Sequence, residues 1–224
     1  MHYAAAQNWH GKNVMSGRII TIAQQKGGSG KTTLAVTLAT TFLSMGKSVA
    51  LLDTDPQGSL GKWFMKRMED RGDDPNLLFS TATAWGINYE LRSLSGKADF
   101  VIVDTPPKAD SDLRPALRAA DLILVPLSAS HVDIWATQDV LDLADRAGKK
   151  ACIVMNRTRA NTRLGTEIDE AVAELEADIA NAKLGNRIAF AESIGQGRGV
   201  LEAKRGSTAA TEAKALAKEI IGML

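Results

Sequence analysis

From Arg18 onward, short apolar runs alternate with longer stretches in which apolar residues return every three or four positions. Runs of the first kind suit strands buried on both faces, and stretches of the second suit amphipathic helices. Their alternation predicts an α/β fold: one domain with a mostly parallel central sheet and helices on both faces. The predicted strands are 19–22, 49–52, 100–103, 122–125 and 152–155, with a weaker one at 77–79 and a further one at 187–190. Leu34, Leu38 and Phe42 recur at helical spacing, and Gly46 supplies a C-terminal stop for that helix. Helices are also expected from about 162 to 180, where Glu, Asp and Ala dominate, and over 211–224, where Leu216, Ile220 and Leu224 stand four apart. Residues 1–17 lack periodicity and read as a flexible tail ahead of a domain spanning 18–224, with Met15 an alternative start.

Composition narrows this picture only slightly. Of the 224 residues 45% are apolar, enough for one buried core, and the formal charge of +1 means that attraction to nucleic acid must come from a local patch. Cys152 is the only cysteine and lies in an apolar run, which makes it a small core residue and excludes an internal disulfide. No stretch is apolar enough to cross a membrane, and no apolar leader opens the chain, so a cytoplasmic location is expected.

The chemistry concentrates between the first predicted strand and the first helix, in Gln25-Lys26-Gly27-Gly28-Ser29-Gly30-Lys31-Thr32-Thr33. A glycine-rich turn there lets backbone N–H groups surround phosphate oxygens while the helix N-terminus adds partial positive charge. Gly27, Gly28, Ser29, Gly30 and Thr33 would form the cradle, Lys31 would neutralise the β- and γ-phosphates, and the Thr32 hydroxyl would ligate Mg2+. The competing explanation is a structural turn with an incidental Gly-Lys-Thr. Two apolar strands end in carboxylates: Asp53, with Asp55 two residues on in Asp-Thr-Asp-Pro-Gln, and Asp104. Carboxylates at the C-terminal ends of parallel strands face the ligand crevice, and Asp104 suits a cation held partly through water. An Asp-Pro turn that merely caps a helix would give Asp53 and Asp55 the same placement.

The loop departs from the general phosphate-loop pattern: Gln25 replaces its first glycine, and Lys26 follows at once. In this it resembles the deviant Walker A loop of the ParA/MinD family of P-loop NTPases, Lys-Gly-Gly-x-Gly-Lys-Ser/Thr, and the resemblance extends over nearly all of 18–224. That resemblance implies a Mg2+-dependent ATPase that binds ATP and pairs into a nucleotide-sandwich homodimer. Lys26 would be the signature lysine reaching the partner protomer's ATP, with Lys31 acting within its own site. Asp55 would orient or deprotonate the attacking water, Asp53 would support the magnesium shell, and Thr105, Pro106 and Pro107 resemble the second switch. Asn156 falls where the family sets an asparagine against adenine, although an asparagine after a strand is also a common turn residue. Residues 187–201, with Glu192, Gly197, Gly199 and Val200, resemble the loop that walls the adenine pocket and borders the dimer interface.

No helix-turn-helix precedes the loop, so the resemblance is to the short ParA class, ParF-like proteins that partition a plasmid or another cargo. It implies nonspecific DNA binding on the nucleoid and hydrolysis stimulated by a ParB-like or adaptor protein. Candidate DNA contacts are Arg157, Arg159, Arg163, Arg198, Lys204 and Arg205, with Arg146, Lys149 and Lys150 nearby, although ordinary solvated charges would look the same. Membrane recruitment is disfavoured, since Glu212 and Glu219 offset Lys214 and Lys218 on the last helix. Two alternatives remain: a metabolic ligase resembling dethiobiotin synthetase, which leaves Lys26 unexplained, and a DNA-independent adaptor that uses ATP only to dimerise. An iron–sulfur reductase lacks the cysteines, and a tyrosine kinase of this fold lacks a terminal tyrosine cluster, with only Tyr3 and Tyr89 present.

Overall fold

The computed structural model describes residues 16–83, 85–107, 113–128, 130–159 and 162–224. Most of the expected tail, together with Asp110 and Asp112, lies outside the described residues. Among the described residues seven strands form one sheet: β1 (Arg18–Ile22), β2 (Val49–Asp53), β3 (Leu77–Thr81), β4 (Phe100–Asp104), β5 (Leu122–Ser128), β6 (Ala151–Asn156) and β7 (Asp178–Ile179). Their order is β3-β2-β4-β1-β5-β6-β7, and every pairing is parallel. Chain connections leave β1 toward β2 on one side and enter β5 on the other, so the C-terminal end of β1 opens on the crevice where such sheets hold ligands.

Because successive strand side chains point to opposite faces, each central strand feeds two cores. Ile20, Ile22, Leu51, Ile102, Leu124 and Val154 enter one core, covered by α1 (Lys31–Ser44), α2 (Ser59–Arg71), α7 (Ile188–Gly195), α8 (Val200–Ala203) and α9 (Thr208–Met223). Leu52, Val101 and Val103 face α3 (Gly86–Ser95) and α4 (Leu113–Ala119), while Ile123, Val125 and Ile153 face α4, α5 (His131–Arg146) and α6 (Arg163–Ala173). This double burial explains why the strands read as unbroken apolar runs rather than as alternations. Helix α1 is packed on nearly all sides, with Leu34, Leu38 and Phe42 fully buried and Phe42 stacked on Phe100 at 4.5 Å. Gly46 ends it as expected: its N–H donates to Leu43 and that of Lys47 to Phe42, closing a Schellman turn.

Three expectations need correction. Residues 187–190 are not a strand but open α7, where Phe190 turns inward against the core around α1. The helix expected to run to 180 stops at Ala173, and the chain then adds β7 to the sheet edge beside Cys152 and Ile153. Glu174-Leu175-Glu176-Ala177 form the turn between them, with the Leu175 N–H donating to Val172 and that of Ala177 to Leu175. The last helix begins at Thr208, three residues earlier than expected, with the Ser207 hydroxyl accepting from the Ala210 N–H.

Candidate functional site

The glycine loop leaves β1 and turns directly into α1. Gly30 caps the helix at φ 92°, and a Cβ there would lie 2.3 Å from the Asn156 side-chain nitrogen, so conformation and space both demand glycine. Lys31, the first helical residue, is buried and donates from Nζ to the Gln24 carbonyl at 3.0 Å. Burial lowers its pKa from the ordinary value, with the charges of Asp104 and Asp55 opposing that shift. A cation held this way, poor in solvation and close to two carboxylates, is suited to accept an anionic ligand.

Asp104, at the end of β4, is 1% exposed. Its Oδ2 accepts from the Thr32 hydroxyl at 2.6 Å, while its Oδ1 has no partner among the described residues. Burial pushes its pKa up to about 7; the Thr32 bond and Lys31 oppose this, and Asp53 and Asp55 add to it. A buried carboxylate oxygen without a donor, next to a hydroxyl, fits a hard cation. Among the described residues no group of three or more His, Cys, Asp or Glu side chains could hold a metal. A cation here would therefore rely on Thr32, Asp104, water and ligand oxygens, which is the habit of Mg2+.

Asp53 and Asp55 divide the work differently. The Asp53 carboxylate is given to backbone donors, with Oδ1 accepting from Asp55 and Oδ2 from Gly61 in the first turn of α2, both at 3.0 Å. Burial raises its pKa, partly offset by these N–H groups. It thus caps α2 and influences Asp104 through its charge, rather than offering free oxygens. Asp55 uses Oδ1 to accept from Gln57 at 2.9 Å and lines the same cavity as the glycine loop, Lys31 and Thr32.

Lys26 is ion-paired with Asp133 of its own chain. The carboxylate is nearly sealed, at 3% side-chain exposure, whereas Lys26 keeps 38%. Gln24 ties the same two elements: its amide donates to Thr137 at 2.9 Å and to the Pro126 carbonyl at 3.3 Å, while its Oε1 accepts from the N–H groups of Gln25 and Lys26. The loop and the first turns of α5 are therefore fastened by a glutamine and by one lysine whose outer half meets solvent.

Two cavities adjoin at this end of the sheet. One, of about 390 Å³, is the phosphate-loop cavity. The other, of about 430 Å³, is bordered by Asn156, Gly185, Asn186, Arg187, Ile188 and Phe190. Thr33 and Arg157 line both. A ligand with a phosphate tail and a planar apolar head would span the pair. Comparison with known proteins agrees with this geometry, since the CobQ/CobB/MinD/ParA nucleotide binding domain matches residues 20–200.

The chain belongs to this family. It is 28% identical over 209 residues to the maintenance of carboxysome distribution protein A of Halothiobacillus neapolitanus, covering 90% of this chain and 95% of that protein. It is 29% identical over 151 residues to the chromosome partitioning protein ParA of Myxococcus xanthus, covering about half of each, 51% and 53%. The crystal structure of a plasmid partition protein from Borrelia burgdorferi bound to AMPPNP superposes with a TM-score of 0.76 at 20% identity, over 93% of this chain and 100% of that one. The structural match shows the fold, and the two relatives carry the names of a distribution protein and a partitioning protein.

The remaining expected residues take definite places around this site. Asn156 is buried beneath the loop, donating to the Ser29 carbonyl at 3.0 Å and accepting from the Arg157 N–H at 2.9 Å. The amide nitrogen braces the loop, while the oxygen caps the turn that follows β6. Arg157, expected on a DNA surface, lies between the two cavities, with a left-handed φ of 53°. Arg163 is paired with Glu167 and Lys204 with Glu192, which dilutes the expected basic patches. Asp133, Gln24 and Thr137 carried no motif, although Gln24 stands directly before the loop. Arg67 also went unnoticed: only 4% exposed, it makes a two-pronged bond to Glu202 and donates to the Gly197 carbonyl, tying α2 to the 197–202 turn. Gly197, at φ 64°, packs so closely that a Cβ would lie 2.5 Å from the Arg67 nitrogen.

Proposed function

We propose that this chain is an ATP-hydrolysing positioning switch: ATP binding pairs two protomers face to face, the pair holds DNA without sequence preference, and hydrolysis prompted by a partner protein releases it. The observation that carries this reading is the loop itself, in which Lys31 is poised beside Asp104 and Thr32 while a second, half-exposed lysine, Lys26, stands on the same loop. Magnesium, when bound, supplies charge neutralisation of the phosphates. Thr32 and Asp104 hold that cation, with Asp53 as a supporting charge. Lys31 faces the phosphates from within the protomer. Asp55 orients the attacking water and accepts its proton, and Arg157 and Thr33 flank the junction of phosphate and base. Asn156 keeps the loop in shape, which leaves base contact to the walls around Asn186 and Ile188.

Pairing requires Lys26 to exchange one anion for another. In the monomer its ammonium rests on Asp133; in the pair it reaches the nucleotide of the facing protomer. Nucleotide occupancy then sets the assembly state by differential affinity, and hydrolysis reverses it. The location implied is the cytoplasm, on the nucleoid when ATP is bound, and among the described residues no helix is long and apolar enough to cross a membrane. The cargo, whether plasmid, chromosome or protein cluster, belongs to the partner rather than to the ATPase core.

The test is binding to random-sequence duplex DNA with ATP, with ADP and without nucleotide, at two salt concentrations. The reading expects ATP-dependent binding that weakens steeply with salt. ATP-dependent pairing with no DNA binding would leave the DNA-independent adaptor standing, and ATP turnover that transfers phosphate or carboxyl chemistry to a small molecule would favour the ligase.

A further inference from the structure

The nucleotide reading leaves one basic concavity unused. Between α4 and α5 lies a cavity of about 260 Å³ lined by Arg114, Leu117 and Arg118 on one side and Leu143, Arg146 and Ala147 on the other. Among the described residues it shares no lining residue with the two nucleotide cavities, and three guanidiniums and no carboxylate border it. None of the three is ion-paired with a carboxylate among the described residues, whereas Arg67, Arg163 and Arg187 each are.

Arg114 and Arg118 stand one helical turn apart on a helix of only seven residues. Like charges at this spacing repel, and Arg146 from the facing helix adds a third. The floor between them is apolar, with Leu117 1% exposed, while the three arginine side chains are exposed, so an anion would meet their guanidinium forks at the rim of an apolar hollow. Planar guanidiniums match the paired oxygens of a phosphate better than ammonium groups do.

We propose that the α4–α5 groove is a binding site for a small phosphorylated anion, with its phosphate charge on Arg114, Arg118 and Arg146 and any short organic stem against Leu117 and Leu143. The size of the groove favours a free ligand over nucleic acid. A duplex is gripped along an extended strip of cations, and its backbone would reach only the rim of a cavity this small. This inference does not depend on the reading of the nucleotide site.

The experiment follows the arginine side-chain Nε–Hε signals by ¹H–¹⁵N NMR while inorganic pyrophosphate is added to the chain already saturated with ADP and magnesium, so that the glycine loop is occupied. Signals are assigned through the single variants Arg114→Gln, Arg118→Gln and Arg146→Gln, all at exposed side chains. A saturable shift shared by the three signals is expected, and each single variant should weaken the midpoint about tenfold, the equivalent of one charge-assisted hydrogen bond. Unmoved signals, shifts reproduced by potassium chloride, or shifts produced only by random-sequence duplex DNA would each overturn the proposal. Because the readout is specific to these side chains, a failure of nucleotide binding elsewhere would show separately, as unchanged loop signals on adding ADP.

Discussion

Lys26 and Asp133 form an ion pair within one chain, and only the lysine half of it is open to solvent. The pair binds the glycine loop to the start of α5, alongside the Gln24–Thr137 hydrogen bond. If Lys26 serves a facing protomer's nucleotide, this contact is what pairing must first release. Asp133→Asn should therefore ease dimer formation with ATP. A half-exposed pair is worth about 1 kcal/mol or less, so the dimer constant should tighten by up to about fivefold. Sedimentation equilibrium in ATP and magnesium measures this, and thermal unfolding of the same variant controls for lost stability.

Asn156 offers a different kind of test. Its amide nitrogen holds the Ser29 carbonyl of the loop, so Asn156→Ala should loosen the loop and weaken ADP and GDP alike, by about tenfold for one buried hydrogen bond. Calorimetric titration with both nucleotides decides the matter, since a base-reading role would instead lower affinity for the adenine nucleotide selectively.

Asp104 and Thr32 should govern the magnesium dependence. Asp104→Asn keeps the shape of the site and the bond to Thr32 but removes the charge, so nucleotide affinity should become insensitive to magnesium and hydrolysis should be lost. Comparing ADP binding in magnesium and in EDTA, for the native chain and the variant, measures the effect.

The tie between α2 and α8 carries a pH signature. Burial alone would raise the Glu202 pKa, but the bonds from Arg67 and Gly199 and the charges of Arg67 and Arg71 outweigh it and hold the group below its usual value. A lowered carboxylate pKa gives stability that is complete above the unfolded value of 4.5 and disappears as pH falls through the folded value. Glu202→Ala should cost about 3 kcal/mol at neutral pH, because buried Arg67 keeps only the longer contacts to Asp74, at 3.8 Å, and the Gly197 carbonyl, at 3.4 Å. Urea unfolding of both chains should show this gap narrowing progressively as pH drops below 4.5.

Much of this was readable in the sequence because strands buried on both faces announce themselves as apolar runs, and because the phosphate loop is local: Gly28, Gly30, Lys31 and Thr32 are neighbours in sequence and in space. Two kinds of feature were not. Where the chain turns between α6 and β7, or where a short apolar run is helical, as at Ile188–Phe190, periodicity over four residues cannot discriminate. Contacts between distant segments left no motif: Asp133 and Arg67 lie far along the chain from the Lys26 and Glu202 that they pair with. Asn156 was placed in the right part of the site, but which atom its amide would meet depended on the height of the loop above it.

Switching requires Lys26 to leave its own chain's carboxylate for the nucleotide of a second protomer. The most direct measurement is the mass in solution, by light scattering in ATP and magnesium, of Asp55→Ala and of the double variant Lys26→Ala/Asp55→Ala, each shown to bind ATP. The single variant, unable to hydrolyse, should accumulate as a dimer, and the double variant should remain a monomer with ATP bound. A double variant that dimerises as readily as the single one would contradict this requirement.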